Sequence, residues 1–198
     1  MLKLAFLASR NGTSMQAILA AIAQGDLAAE ARLVVSNNRN APALTAAAAA
    51  GVATLWLPTK DAPETADAEL AAALQRAEAD LVILSGYLRR LGPRTLAAFP
   101  GRILNIHPGP LPAFGGEGMY GRRVHEAVIA AGLAETSAVI HVVDGEYDHG
   151  PAIARRSLAI RPDDTAETLE ARMAAMEPQF YVETLRQIAD GERSLPGN

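Results

Sequence analysis

"LKLAFLASRNGTSMQAILAAIAQG", residues 2–25, holds the unit on which the architecture is built. The apolar run at 2–9 ends in turn residues, as a strand buried in a parallel sheet does. Behind the turn, 14–25 places Met15, Ile18, Leu19 and Ile22 on one helical face and stops at Gly25. The same beat recurs along the chain. Strands are expected at 31–37, 52–58, 80–86 and 102–108, with helices at 41–51, 65–79 and 92–100 between them. Beyond a glycine-rich loop, a helix is expected at 122–132. Strands at 137–144 and 151–160 follow with no helix between them, so they form an antiparallel pair. Residues 163–192 form a closing helical region, with a kink or a break into two helices at Pro178, and 193–198 is a tail. The fold class is α/β: a doubly wound, mostly parallel open sheet with an antiparallel strand pair near its C-terminal end.

Composition narrows the function. The chain has 198 residues, 49% hydrophobic and 20% charged, with a formal net charge of −4. No basic block is present, so nucleic acid is a poor partner and small molecules are expected instead. The absence of cysteine removes thiolate nucleophiles, disulfides and Cys-based metal sites. Four His with no H-E-x-x-H pattern give no metal-site signature either. The apolar segment 4–8 is too short for an export signal, and the alanine stretch within 41–53 is far short of a membrane span. The expectation is a cytoplasmic protein without membrane partners, monomeric or homodimeric.

In an open α/β sheet, ligands bind outside the carboxyl ends of the strands. This selects the turns after Ala8, Ser85, His107 and Asp144. In the first, Gly12, Thr13 and Ser14 open a helix whose free N–H groups favour an anion. The same residues also suit an ordinary N-cap, and both readings stand on sequence alone. Only one glycine is present where a dinucleotide fingerprint needs three, so a monophosphate suits the turn better than a pyrophosphate. In the second, Tyr87 and Leu88 either hold a flat ring or merely cover the sheet end. In the third, "LNIHPGPLPAFGGEGMYG" at 104–121 puts Asn105 and His107 on one face of a strand. An amide N–H and an imidazole there can stabilise an oxyanion or move a proton. The acid needed to orient the imidazole is Asp144 or Asp148 in "VVDGEYDHGP". His125 and His149 are assigned no chemistry, and His141 is either core or a neighbour of the site.

The ordered combination of "NIHP-x-x-LP", a Gly-rich loop and "D-x-GP" resembles the folate-dependent formyltransferases. Over its full length the chain is similar to the branch that acts in purine biosynthesis, with a Rossmann-like formyltransferase fold. The resemblance implies a single domain over 1–198, with a phosphate-binding half at 1–100 and a catalytic and folate half at 101–198. It implies formyl transfer from 10-formyltetrahydrofolate, as co-substrate and without a metal, to the primary amine of glycinamide ribonucleotide. Asn105 and His107 would polarise the formyl group, and Asp148 would orient His107 and pass a proton through water. Gly12, Thr13 and Ser14 would hold the phosphate and Glu177 the ribonucleotide. The folate pocket would take Tyr87, Leu88, Arg89, Arg90 and Leu91, together with the turn from Val143 and Asp144 to Asp148.

Four departures from the family pattern stand on the acceptor side. Arg10 replaces a Gly and Ser14 an Asn in the first loop; Val139 replaces a Ser or Thr; and Pro178 follows Glu177 where a His is frequent. "G-E-G-M-Y-G" takes the place of "G-x-H-x-H", which reads as a subgroup. Folate use is therefore the firmer expectation, and an amino sugar nucleotide is the rival acceptor. A hydrolase passing formyl to water and a non-catalytic nucleotide-binding module are further alternatives. A chain that starts at its first strand and stops at Asn198 is expected to favour the ribonucleotide over the hydrolase and sugar-nucleotide types, which commonly carry extra domains.

Overall fold

A computed structural model describes residues 1–196. Gly197 and Asn198, the end of the expected tail, lie outside the described residues. The elements run β1 (Leu2–Leu7), α1 (Thr13–Ala23), β2 (Ala29–Ser36), α2 (Pro42–Ala49), β3 (Thr54–Trp56), α3 (Pro63–Arg76) and β4 (Leu81–Leu84). They continue with α4 (Pro93–Ala98), β5 (Ile103–His107), α5 (Arg122–Ala130), β6 (Glu135–Val142), β7 (Ala152–Ala159) and α6 (Ala166–Ala189).

The seven strands form one sheet in the order β3-β2-β1-β4-β5-β6-β7. Pairings from β3 to β5 are parallel, whereas β6 is antiparallel to both β5 and β7. The antiparallel region is thus one pairing wider than the expected strand pair. The chain order reverses between β1 and β4, the switch point at which such sheets leave a crevice.

Period-2 alternation in β1 explains the two layers. Leu4 and Phe6 join a core closed by α1, α2 and α6, which includes Met15, Ile18, Ala43, Phe180 and Tyr181. Ala5 and Leu7 point the other way, into a core closed by α3 and α4 that includes Leu70, Leu74 and Phe99. Burial of each such Leu or Phe contributes roughly 1.5–3 kcal/mol. A small third cluster of Val124, Val128 and Leu169 seats α5 on α6.

The closing region is one helix of 24 residues, not two, with Pro178 inside it. A proline deletes a single backbone donor. Here Leu169 and Met173 before it and Phe180, Tyr181 and Leu185 after it are all buried, which ties both sides of the missing bond to the body of the protein. The helix begins with a capping box in which Thr165 Oγ1 accepts from the Thr168 N–H and the Thr165 N–H donates to Thr168 Oγ1.

Candidate active site

The carboxyl ends of β1, β4 and β5 bring the expected residues to one edge of the sheet. Asn105 and His107 share a face of β5. Across the antiparallel ladder Asn105 pairs with His141 and His107 with Val139. That register sets a second imidazole beside the amide. His141 Nδ1–H donates to the Val142 carbonyl at 2.9 Å, which leaves Nε2 facing the site. Asn105 Nδ2 lies 3.2 Å from that Nε2. The Asn105 side chain has no other hydrogen-bond partner among the described residues.

Asp148 arrives from the β6–β7 turn in a left-handed conformation, with φ of 55°. Asp tolerates this conformation better than most residues. Its Oδ2 lies 3.3 Å from His107 Nδ1 and its Oδ1 3.4 Å from His141 Nε2, with the side chain 11% exposed. The Gly116 N–H donates to Oδ2 at 3.1 Å. Burial alone would raise the Asp148 pKa. The two imidazoles and the Gly116 amide outweigh it and hold the carboxyl below the usual carboxylate range.

The loop between β5 and α5 lies over this group. His107 Nε2 is 2.7 Å from the Phe114 carbonyl oxygen. Both nitrogens of the His107 ring therefore face oxygen acceptors, an arrangement that two N–H donors satisfy. Close approach requires glycine at 115, where a Cβ would meet Leu111 Cδ2 at 2.3 Å and Asp148 Cβ at 2.9 Å.

In the first loop the backbone leaves part of the helix start open. Gly12 is the N-cap of α1 with φ of 62°, and no side chain caps the helix locally. The third helical amide, Met15 N–H, donates to Ser85 Oγ at 3.0 Å. The Thr13 and Ser14 amides have no partner among the described residues. Two open N–H groups with adjacent hydroxyls match one anion of phosphate size.

The residues expected to hold a flat ring divide. Tyr87 is half-buried and its hydroxyl pKa is pushed up to about 12 by burial. Leu88 is 55% exposed and Tyr147, from the opposite turn, 49% exposed. Arg90 spans the gap: its guanidinium lies 5.7 Å from the Tyr147 ring centre and donates to the Gly145 carbonyl. Arg89 is exposed, whereas Leu91 is buried in the α3–α4 core, so its side chain packs instead of lining the opening. Val143 packs partly against that same core, and Asp144 accepts from the Glu146 N–H at 2.9 Å and pairs with His149 at 2.8 Å. Asp144 thus shapes the turn while Asp148 meets the imidazoles.

Glu177 is partly accessible at its surface, yet the groups crowded around its carboxyl push its pKa up to about 7 by desolvation, against a smaller pull from His107. His125 is buried, its Nδ1 has no partner, and burial lowers its pKa. Among the described residues, no group of three or more His, Cys, Asp or Glu is placed to hold a metal ion. No helix among them is long and apolar enough to cross a membrane.

This layout is that of known proteins. The sequence matches the formyl transferase family over residues 2–185. The chain belongs to the formyl transferase family. It is 37% identical over 190 residues to the chloroplastic phosphoribosylglycinamide formyltransferase of Vigna unguiculata, covering 95% of this chain but 61% of that protein. The counterpart in Bacillus subtilis is 33% identical over 190 residues, with 95% of each chain covered. Among solved structures, glycinamide ribonucleotide transformylase 1 from Symbiobacterium toebii superposes with a TM-score of 0.88 at 34% identity, over 100% of this chain and 92% of that one. The chain thus spans less than two thirds of the length of the plant relative and nearly all of the bacterial ones. Family membership accounts for the seven-stranded mixed sheet and six helices of the described residues.

Three further groups stand beside the side chains of Asn105, His107 and Asp148. His141 stands open between core and site in the sequence, and the antiparallel register with Asn105 is the signal that decides it. The Phe114 carbonyl and the Gly116 amide are backbone groups, which carry no sequence signal at all.

Proposed function

We propose that the chain transfers a formyl group from 10-formyltetrahydrofolate to the primary amine of glycinamide ribonucleotide. The observation that carries this reading is the convergence of Asn105, His107 and Asp148 beside an anion cradle of single-phosphate size. The names borne by the relatives point the same way. The reading takes 1–198 as one formyltransferase domain, supported by a single sheet that runs through both halves. The loop 87–91 belongs to the phosphate half and opens toward the catalytic half, so folate is gripped from both.

In this reading Thr13 and Ser14 hold the substrate phosphate, and Glu177 faces the ribonucleotide. Leu88, Tyr147 and Arg90 offer an apolar and aromatic opening with a cation, which fits a flat heterocycle bearing a carboxylate tail. The amide of Asn105 and the Nε2–H of His107 hold the formyl oxygen as the amine nitrogen bonds to the formyl carbon. Charge that develops on that oxygen meets preorganised donors. Asp148 keeps the His107 ring in place and receives, through water, the proton that the amine gives up. That proton returns to the folate nitrogen as its bond to the formyl carbon breaks, so the exchange needs no external acid and no oxidant.

The test is a turnover assay with 10-formyltetrahydrofolate and glycinamide ribonucleotide, run in competition with an amino sugar nucleotide. Saturable formylation of the ribonucleotide is expected. Turnover of the amino sugar nucleotide alone would transfer the assignment to the rival acceptor.

A further inference from the structure

The two ligand loops of this protein are not independent. The β1–β4 ladder continues past the ends of the strands, with Ser85 N–H donating to the Leu7 carbonyl at 2.9 Å and Ser9 N–H to the Gly86 carbonyl at 3.1 Å. Two hydroxyls then extend it where backbone pairing stops. Ser9 Oγ accepts the Leu88 N–H at 2.8 Å, across 79 residues, and donates to Asn37 Oδ1 at 2.6 Å. Ser85 Oγ accepts the Met15 N–H at 3.0 Å, across 70 residues. Ser9 and Ser85 are both buried.

Each hydroxyl reaches from one ligand loop into the other. Ser9 begins the phosphate loop and fixes the amide of Leu88, which stands on the rim of the ring-binding opening. Ser85 begins the folate loop and fixes an amide in the first turn of α1, the turn that presents Thr13 and Ser14. The crossing lies at the β1–β4 switch point, where the two crevice walls meet. Buried hydrogen bonds of this kind are costly to leave half-made, so the loops order or loosen together.

We propose that Ser9 and Ser85 are positioning residues that couple the two substrate sites, so that an anion at the α1 N-terminus tightens folate binding and folate tightens anion binding. The inference rests on the reading of the two loops given under Proposed function. It does not depend on which amine carries the phosphate. Ordering the first turn of α1 around an anion holds Met15 N–H against Ser85, and with it the backbone leading to Leu88. The second ligand then meets a loop already in place, which is positive coupling with no large movement. Coupling is reciprocal by linkage, so the same factor must be read from either side.

The experiment measures the dissociation constant of tetrahydrofolate by calorimetry under anaerobic conditions, with and without saturating ribose 5-phosphate, and the reverse titration. On the order of fivefold tightening in both directions is expected for the parent. Ser85→Ala and Ser9→Ala should each bring the factor close to one. Ser85→Thr, which keeps the hydroxyl, should restore most of it. In steady state, the KM for one substrate should fall as the other is raised in the parent and stay level in the alanine variants. Thermal unfolding of each variant shows whether it is folded, and the Ser9 variant serves if Ser85→Ala does not fold. An unchanged factor in both alanine variants, or a factor of one in the parent, overturns the proposal. Failure of the acceptor assignment is a separate outcome: glycinamide ribonucleotide would then not be formylated, while ribose 5-phosphate and tetrahydrofolate would still report the coupling.

Discussion

The carboxylate of Asp148 is held 3.3 Å from Nδ1 of His107 by a residue with φ of 55° at the far end of a turn. The acid that meets this imidazole comes from the β6–β7 turn, far from β5 in sequence. Asp148→Asn keeps the shape and removes the charge. Turnover should fall by about 10²–10⁴, the range that a positioned acid–base group contributes. Steady-state kinetics with both substrates saturating measures it. A loss below about fivefold would remove Asp148 from the mechanism.

Asn105→Ala removes the amide that, in the proposed reaction, holds the formyl oxygen. The loss in kcat should be about 10²–10³, as for deletion of one oxyanion donor. Binding of ribose 5-phosphate, measured separately, should not change, because the α1 N-terminus is untouched.

Two carboxyls give pH dependences of opposite sign. Asp148 has a depressed pKa in the folded state, so the stability it adds is present above the ordinary carboxylate range and is lost as pH falls below about 4. Glu177, raised from 4.5 to about 7, binds its proton more tightly when folded. Its contribution is fully present below the unfolded value and is lost as pH rises through the window from 4.5 to about 7. Denaturant unfolding of the parent against Glu177→Gln should show a stability difference that changes across that window and is level above it. A difference that is level throughout would mean that Glu177 titrates as it does in the unfolded chain.

Gly115→Ala puts a methyl group 2.9 Å from Asp148 Cβ and 2.3 Å from Leu111 Cδ2. Overpacking of this kind costs about 1–3 kcal/mol. Because the loop and Asp148 must move apart, turnover should fall further than stability does. Thermal melts and rates on the same sample separate the two effects.

Gly12→Ala forces a Cβ into a left-handed position 3.2 Å from Ala43 Cβ. The conformational cost is about 1–2 kcal/mol. The expected signature is a raised KM for the phosphate-bearing substrate with a smaller change in kcat, read from initial rates.

Much of this was legible in the residues. The unbroken apolar run Leu4, Ala5, Phe6, Leu7 announces a strand buried on both faces, and Asn105 with His107 interrupts the same kind of run in β5. What stayed hidden depends on pairing distant segments. His141 becomes a partner of Asn105 only once β6 is known to run against β5. Ser9 and Ser85 look like ordinary turn residues until β1 and β4 are seen as neighbours. The Leu91 side chain enters the core, so only its backbone is left to face the opening, a division that the residue type alone does not announce. Pro178 predicts a kink or a division into two helices, and the division does not occur because buried side chains on both sides of it hold one helix together.

The Phe114 carbonyl against His107 has a thermodynamic corollary. In the resting protein that oxygen already faces Nε2, so in the proposed reaction an arriving formyl oxygen would exchange one neutral acceptor for another and gain little in the bound state. Affinity must then be drawn from the phosphate and the ring at the periphery. The imidazole's preference for its new partner grows only as that oxygen becomes an anion, which turns the exchange into acceleration instead of tighter retention of the reactant.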